Sequence, residues 1–354
     1  MFTRRRFLAG LAVASGGLSV AGWMALRATS AGPGWRGPAS DHFDGKQFFN
    51  PRGPTGNTFG NFLKWQRTKN PKPWPTSVEN APQATLPTHV RNHEAFVTAV
   101  NHCTFLVQLP GCNLLTDPVW SERVSPFGFV GPRRIRAPGV GWDALPNIDV
   151  VLVSHNHFDH LDLPTLRALE QRFHPKFITG LGNRALLAAN GLADVEELDW
   201  WQVSNAPMLN ARITFTPAQH WSARSFFERN TTLWGGFWIE NTRHRVLFAG
   251  DSGYGPDFAE IRTKLGEPHL ALLPIGAYDP RWFMAGAHMD PAHAVAAHRD
   301  LGAQRSLAMH FDTFQLADEG FGEAERELVV ARKAAGLDPS ISHAPATGEI
   351  TVLA

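Results

Sequence analysis

The sequence predicts an α+β fold in which two packed β-sheets carry helices on their outer faces. From about residue 94 onward, short runs rich in Val, Leu, Ile and Phe alternate with segments whose apolar residues recur at helical spacing. The earliest runs are separated only by turn residues, as in hairpins, whereas later runs are separated by helical segments. Hairpins followed by mixed strand and helix units are typical of two sheets packed face to face with helices outside.

The predicted strands are short, and most are followed by a Gly, Pro, Asn or Asp residue. They cover residues 95–100, 104–109, 113–116, 149–154, 176–179, 212–216, 236–240, 245–249, 269–274 and 305–309. The predicted helices cover residues 164–173, 183–190, 291–301 and 323–335. Asp290 and Pro291 are preferred residues at a helix start and Gly302 at a helix end, which sets the bounds of the third helix.

Residues 1–31 have the features of an export signal. Arg4, Arg5 and Arg6 precede a weakly apolar run rich in Ala and Gly, and small residues follow near 28–31. The order Thr-Arg-Arg-Arg-Phe-Leu resembles the twin-arginine signal. We therefore expect export through that translocon to the periplasm or the periplasmic face of the inner membrane. A short membrane anchor is the alternative, and cleavage of the signal stays open.

Residues 32–90 predict an irregular arm ahead of a globular domain at 91–354. The arm is rich in Pro, Gly and Asn, carries scattered aromatic residues, and has no sustained period of strand or helix. A disordered linker would have fewer aromatic residues, so we expect the arm to wrap the domain and dock through them.

Charge and cysteine content argue against three classes of protein. Residues 1–31 hold four arginines and no acid, so the remainder has 29 basic against 32 acidic residues, a net charge of −3. A faintly acidic chain lacks the clustered cations that nucleic-acid binding requires. Two cysteines exclude a disulfide scaffold and a thiolate zinc cluster. Cys103 and Cys112 fall at opposite ends of a predicted hairpin, roughly 20 Å apart, so we expect two free thiols.

A dense group of potential metal ligands follows the predicted strand at 149–154. His155, His157 and Asp159 alternate along the chain, so an extended backbone would direct them the same way, and His160 follows at the turn. Imidazole and carboxylate ligands suit Zn²⁺. An unloaded histidine-rich loop is the alternative interpretation.

Three further candidate ligands each lie just beyond another predicted strand. They are His220, Asp251 and His310. Functional groups gather at such strand ends in α/β architectures. Seven candidate ligands are too many for one tetrahedral zinc and suit two metals that share a bridging carboxylate. Asp257, by contrast, is expected in a surface loop, where its replacement by Asn should be near neutral.

The pattern His-x-His-x-Asp-His after a buried strand, followed by a distant His, Asp and His, resembles the metallo-β-lactamase superfamily. That resemblance implies a four-layer αββα sandwich. Longer sequence motifs resemble those of one branch of this superfamily, the N-acyl-phosphatidylethanolamine-hydrolysing phospholipases D. They begin at Leu115 (Leu-Thr-Asp-Pro-Val-Trp), Ser154 (Ser-His-Asn-His-Phe-Asp-His-Leu-Asp), Thr216 (Thr-Pro-Ala-Gln-His-Trp), Phe248 (Phe-Ala-Gly-Asp-Ser-Gly-Tyr) and Pro274 (Pro-Ile-Gly-Ala-Tyr-Asp-Pro-Arg-Trp-Phe).

The resemblance implies two zinc ions per chain, although another divalent metal would fit the same ligands. One zinc would take His155, His157 and His220. The other would take Asp159, His160 and His310. Asp251 would bridge the two ions and so take part in catalysis.

The resemblance also implies residues that face the substrate. His288 matches a position near the substrate, where it would bind phosphate or protonate the leaving group; a structural loop histidine is the alternative. Animal members of the branch have Tyr where this chain has Phe158, so a hydroxyl that could face the substrate is absent here.

The function implied is hydrolysis of a phosphodiester bond of phospholipase D type. Cleavage of an N-acyl-phosphatidylethanolamine-like lipid would release phosphatidic acid and an N-acylethanolamine. A membrane surface would be a partner. A lactonase, or another ester or amide hydrolase on the same metal pair, is the alternative enzyme, because fold and metals do not choose the bond that is cleaved. A non-catalytic metal-binding protein is the alternative of a different class. The sequence leaves the oligomeric state open.

Overall fold

A computed structural model describes residues 32–53, 57–81, 85–204, 210–225 and 228–353. The predicted export signal at 1–31 lies outside the described residues. Within them, no helix has the length and apolar character needed to cross a membrane.

Two β-sheets form the centre of the molecule. The first has seven strands in the order β13-β1-β2-β3-β4-β5-β6. Its strands are β1 (Ala95–Asn101), β2 (Thr104–Leu109), β3 (Cys112–Thr116), β4 (Val150–Val153), β5 (Lys176–Gly180), β6 (Val195–Leu198) and β13 (Ile350–Leu353). The strands from β1 to β3 pair antiparallel as hairpins, and those from β3 to β6 pair parallel.

The second sheet has six strands in the order β12-β11-β10-β9-β8-β7. Its strands are β7 (Arg212–Thr216), β8 (Gly236–Glu240), β9 (Arg245–Phe248), β10 (Leu270–Pro274), β11 (Arg305–Met309) and β12 (Ser342–His343). The strands from β9 to β12 run parallel, and β8 runs antiparallel to both of its neighbours. The carboxyl ends of β7, β9 and β11 therefore point the same way.

Seven helices of more than one turn are present in the described residues. They are α1 (Phe59–Thr68), α2 (Leu163–Phe173), α3 (Arg184–Ala189), α4 (Asp257–Leu265), α5 (Arg281–Met284), α6 (Pro291–Leu301) and α7 (Glu323–Ala334). As predicted, α6 begins after Asp290, whose side chain accepts from the backbone of His293, and ends at Gly302 in the left-handed conformation.

Alternate residues along the first sheet show how the layers stack. In β4, Val150 and Leu152 belong to the core shared with the second sheet, whereas Val151 and Val153 pack in a separate core. That second core contains Leu166 and Leu169 of α2 and Leu186 and Leu187 of α3, so these helices cover the outer face of the sheet. The strand alternation thus places one face against the other sheet and one against helices. The predicted αββα sandwich is confirmed.

Several elements were not predicted from the sequence. Strands β6, β12 and β13 are short, and α4 and α5 follow proline residues that read as loop signals. The largest difference lies in the arm, which contains helix α1 and is therefore not irregular throughout. No residue of α1 is fully buried, although Phe62 and Trp65 are half-buried. Thr58 caps this helix by accepting from the backbone of Asn61 at 3.2 Å.

The described parts of the arm are packed on the domain through aromatic residues. Phe43 and Phe48 are fully buried and join the main core. Trp65 of α1 stacks on Phe283 of α5 with 5.0 Å between ring centroids, and Trp74 donates to the backbone of Glu319 at 2.9 Å. Cys103 and Cys112 are free and buried, as expected.

Candidate metal centre

Four strand ends bring the predicted ligands together at one edge of the sandwich. His155, His157, Asp159 and His160 follow β4, while the other three follow β7, β9 and β11. The close approach at β11 requires a glycine opposite, because a Cβ at Gly276 would lie 1.9 Å from the backbone oxygen of His310. All seven side chains converge, as predicted.

Three imidazoles form what we call the first cluster. His155 Nε2 lies 2.8 Å from His157 Nδ1, which lies 3.2 Å from His220 Nε2. A tetrahedral zinc with Zn–N bonds of about 2.0–2.1 Å would separate its ligand nitrogens by roughly 3.3 Å. The three nitrogens are therefore spaced as ligands of one metal ion.

Two histidines and two carboxylates form the second cluster, made of Asp159, His160, His310 and Asp251. His160 Nε2 lies 3.3 Å from Asp159 Oδ2 and 3.2 Å from Asp251 Oδ2. The matching distances from His310 Nε2 are 3.4 and 3.1 Å. This spacing also fits ligands of one metal ion.

Asp251 lies between the two clusters. Its Oδ2 atom is 3.9 Å from His155 Nε2 and 3.7 Å from His220 Nε2, besides its contacts with the second cluster. Its Oδ1 atom is buried and has no hydrogen-bond partner among the described residues. The same holds for His160 Nε2 and His310 Nε2. Buried polar atoms without partners are costly, and a bound cation would satisfy them.

The electrostatics of the two clusters differ. Burial lowers the pKa of His157 and of His220 to about 3, and lowers that of His155 well below its usual value. These imidazoles are therefore neutral at physiological pH, which is the form that binds a metal ion.

In the second cluster the carboxylates oppose the effect of burial. Burial alone would lower the pKa of His310, but Asp251 and Asp159 raise it to about 9. Burial would likewise raise the pKa of Asp251, yet His160 and His310 hold it well below its usual value. This cluster thus favours a positive charge at its centre.

Asp117 supports His160 from behind. Its Oδ2 atom lies 2.6 Å from His160 Nδ1, and its Oδ1 atom accepts from the backbone nitrogen of Ser154 at 2.7 Å. A carboxylate on the remote nitrogen of a ligand histidine fixes its tautomer and leaves Nε2 free to bind a metal. Asp117 lies in the motif that begins at Leu115, yet no pattern in the sequence predicts this contact.

His220 is held from two sides. Its Nδ1 atom lies 2.9 Å from the backbone oxygen of Ala287, and its own backbone oxygen accepts from the side chain of Asn50 in the arm. His288, the residue after Ala287, is largely buried, with Nδ1 3.9 Å from Asp251 Oδ2. Burial lowers the pKa of His288 to about 3, so its ring is neutral.

Phe158 lies under a buried arginine. The Arg224 guanidinium carbon is 4.0 Å from the centre of the Phe158 ring, and Arg224 Nη1 donates to the backbone oxygens of Asn156 and Leu161 at 2.9 and 2.8 Å. Arg224 therefore fixes the loop that carries four predicted ligands. Phe158 also packs against the small apolar cluster of Val119, Val124 and Phe314.

The position of Asp257 differs from the expectation. It begins α4 and is buried, where it accepts hydrogen bonds from Gln219 and from Arg52 of the arm. The expected surface loop is wrong, because Gln219 and the arm cover this turn.

Comparisons with known proteins agree with this architecture. A family model described as a beta-lactamase superfamily domain matches residues 112–311. An uncharacterised protein of Mycobacterium tuberculosis is 40% identical over 240 residues, which cover 66% of this chain and 63% of that protein. This chain thus spans just under two thirds of the length of that relative.

Two further similarities involve characterised or solved proteins. N-acyl-phosphatidylethanolamine-hydrolyzing phospholipase D 1 of Caenorhabditis elegans is 36% identical over 264 residues, which cover 68% of this chain and 74% of that enzyme. The structure of a metallo hydrolase from Ignicoccus hospitalis matches with a TM-score of 0.56 and 21% identity, covering 74% of this chain and 99% of that one. The latter supports the fold alone.

Proposed function

Since the chain belongs to the β-lactamase superfamily and has the fold of its metallo-hydrolases, we propose that it is a di-metal phosphodiesterase of phospholipase D type. The substrate class that we propose is N-acylated ethanolamine phospholipid, by analogy with the nematode relative. The single observation that carries the proposal is the position of Asp251, with one oxygen facing histidines of both clusters.

The chain offers ligands for two metal ions with defined roles. His155, His157 and His220 would hold one ion, Asp159, His160 and His310 the other, and Asp251 would bridge them. Two divalent ions held by these residues would supply a water-derived nucleophile at neutral pH and would neutralise the charge of a phosphodiester. Zinc suits the nitrogen and oxygen donors, and no thiolate is needed.

His288 is placed to act on the phosphate. Its ring lies beside Asp251 at the edge of the first cluster, and 13% of its side chain is exposed. Because the ring is neutral, we assign it the role of a hydrogen-bond donor to a phosphoryl oxygen rather than that of the acid that protonates the leaving group.

Phe158 contributes an apolar wall beside the metal centre. Its side chain packs against Val119, Val124 and Phe314, and Val124 leads into a loop at 125–131. An apolar wall suits the hydrocarbon part of a lipid and offers no hydrogen bond to its headgroup.

The same loop supports the proposal of a membrane partner. Phe129 is 82% exposed, Val130 50% and Phe127 40%. Exposed aromatic residues in one short loop mark an interaction surface. Arg123 flanks the loop with a charge that suits anionic lipid, whereas Arg133 on its other side is paired with Glu122. We propose that this loop enters a lipid surface and presents the adjacent site to phospholipid.

The decisive experiment is product analysis. Protein lacking residues 1–31 is loaded with Zn²⁺, incubated with a mixed phospholipid extract and analysed by mass spectrometry. We expect phosphatidic acid and N-acylethanolamine to appear together, and zinc content near two per chain. Ring-opened acids from added lactones, without phosphatidic acid, would favour the lactonase alternative, and no product with any class would favour a binding protein.

Vesicle sedimentation tests the lipid surface separately. With vesicles of phosphatidylethanolamine and phosphatidylglycerol, Phe129→Ser should bind several-fold more weakly than the wild type. Val330→Ser provides a matched control, because Val330 is 68% exposed on α7. Equal binding of the two variants would contradict the assigned surface.

A further inference from the structure

His102 contacts the metal centre but is not one of its predicted ligands. We propose that His102 is a positioning residue, which holds the Asp159 carboxylate in the orientation that the second cluster requires. This inference rests on the proposed function, since it assumes that the second cluster binds a metal ion.

The side chain of His102 lies directly against Asp159. Its Nε2 atom is 3.1 Å from Asp159 Oδ2, and only 1% of the side chain is exposed. The ring also lies 4.2 Å from the His310 ring, and Phe314 meets it edge-on at 5.3 Å. Packing on several sides fixes the ring, so the contact with Asp159 is restricted to one geometry.

His102 is outside the group of atoms that would surround the metal. Asp159, His160, Asp251 and His310 offer ligand atoms that all lie within 4.8 Å of one another, and His102 is not in that group. His102 falls instead in a group with Cys103, His160 and His310, which does not include Asp251. We therefore assign its contact with Asp159 to a hydrogen-bond donor that supports a ligand.

The backbone of His102 positions a second ligand. Its carbonyl oxygen accepts from the backbone nitrogen of His310 at 3.0 Å, and its own nitrogen donates to Thr313 Oγ1 at 3.2 Å. His102 has φ of 42°, in the left-handed region that a histidine seldom adopts. One residue in the turn between β1 and β2 thus fixes two ligands that come from different sheets.

His102 also lines a small cavity. A cavity of about 30 Å³ is lined by His102, Asn101, Arg136 and Thr347, among others. Among the described residues, His102 Nδ1, Asn101 Oδ1 and Arg136 Nε are buried without a hydrogen-bond partner. A cavity of this size accommodates one or two water molecules, each of which needs at least about 10–15 Å³.

These unpartnered atoms agree with one tautomer of His102. A carboxylate only accepts hydrogen bonds, so Nε2 carries the proton toward Asp159 and Nδ1 is left as an acceptor. A water molecule that accepts from Arg136 and donates to Nδ1 would stabilise the tautomer in which His102 donates to Asp159.

The test measures metal affinity rather than turnover. Zinc binding to wild type, His102→Ala and His102→Gln is measured by competition with a chromophoric chelator. We expect two zinc ions per chain in the wild type, and in His102→Ala an about 10–100-fold weaker affinity for one ion only. Glutamine carries an N–H donor at about the reach of Nε2, so His102→Gln should recover most of the affinity. His298→Ala, at a buried histidine of α6, should leave both affinities unchanged.

The outcomes separate this inference from the proposed function. A wild-type protein that binds fewer than two zinc ions would count against the function itself. Two ions of unchanged affinity in His102→Ala would overturn only the role of His102. Nitrogen-15 NMR of the zinc-loaded wild type adds a readout that needs no variant, since a proton on Nδ1 rather than Nε2 of His102 would also overturn it.

Discussion

Asn50 in the arm donates a hydrogen bond from its side-chain nitrogen to the backbone oxygen of His220, at 2.9 Å. Its side-chain oxygen accepts from Trp234 Nε1 at 3.2 Å. The arm therefore forms part of the wall behind the first cluster, although it lies far from the ligand motifs in the sequence.

Replacing Asn50 should weaken the first cluster. Asn50→Ala leaves the His220 carbonyl without its donor, so we expect about 1 kcal/mol less stability and an about tenfold weaker affinity for one zinc ion. Denaturant unfolding and chelator competition measure the two effects. Asn57→Ala is the matched control, because Asn57 is also an arm residue that donates to a backbone oxygen, that of Phe283. It should lose stability and keep both metal affinities.

Asp251→Asn should convert the site to one metal ion. The substitution keeps the size of the side chain but removes the charge that offsets two cations roughly 3.5–4 Å apart. We expect zinc content to fall to about one per chain and phosphodiesterase turnover to fall by orders of magnitude, with the fold retained. Metal analysis, thermal unfolding and turnover are measured together. Asp194→Asn, with 63% of its side chain exposed next to Lys176, serves as the control.

Asp257→Ala should destabilise the protein. Gln219 and Arg52 would lose their shared acceptor, and Gln219 is buried. We expect a loss of about 1–3 kcal/mol in the free energy of unfolding, measured in urea. Glu260→Gln changes a more exposed partner of Arg52 and should cost less. An Asp257→Ala protein as stable as the wild type would mean that this buried contact contributes nothing.

His42 should make the stability of the docked arm depend on pH. Burial lowers its pKa, but hydrogen bonds to Asp199 and Asp41 outweigh that effect and raise it above the usual value. The charged form is therefore favoured in the folded state. The resulting stability is fully present below a pH of about 6.5 and is lost as the pH rises through the folded pKa.

The variant that isolates this effect is Asp199→Asn. We expect it to cost about 1 kcal/mol near pH 6 and much less near pH 9, by denaturant unfolding at both values. Asp44→Asn, which changes a nearby carboxylate that binds the arm backbone, should keep the wild-type profile. A pH-independent difference for Asp199→Asn would contradict the role of His42.

Export should depend on the first arginines. Arg4→Lys combined with Arg5→Lys is expected to retain the protein in the cytoplasm, because a twin-arginine signal requires both guanidinium groups. Fractionation of cells that express the wild type and the double variant measures this. Unchanged delivery of the variant to the periplasm would refute the assigned signal.

The convergence of the candidate ligands was predictable because each one follows an apolar strand with a strong local pattern. His155 to His160 form a compact motif after one apolar strand. His220, Asp251 and His310 each follow another apolar strand. Parallel packing of the strands then brings their ends together. The strand periodicity of the sequence is enough to suggest this arrangement.

The residues behind the ligands were not predictable in the same way. His102 lies in a hairpin turn, and Asn50 and Arg224 lie in irregular segments. Each acts through a contact that only the tertiary fold creates, so no spacing in the sequence marks it. Helix α1 was missed for a different reason, since it is short and carries Gly60 and Asn61, residues typical of loops, in its first turn.

The contacts of the arm impose an order on how the molecule is completed. Asn50 pairs with a residue 170 positions later, Arg52 with one 205 positions later, and Lys72 with one 251 positions later. Closing such long loops is slow, and the arm gains no contact until its distant partner has been synthesised. During synthesis the arm cannot dock until almost the whole domain has been made. The arm directly follows residues 1–31. Its docking therefore requires that the later segments, with the predicted metal ligands, are already in place.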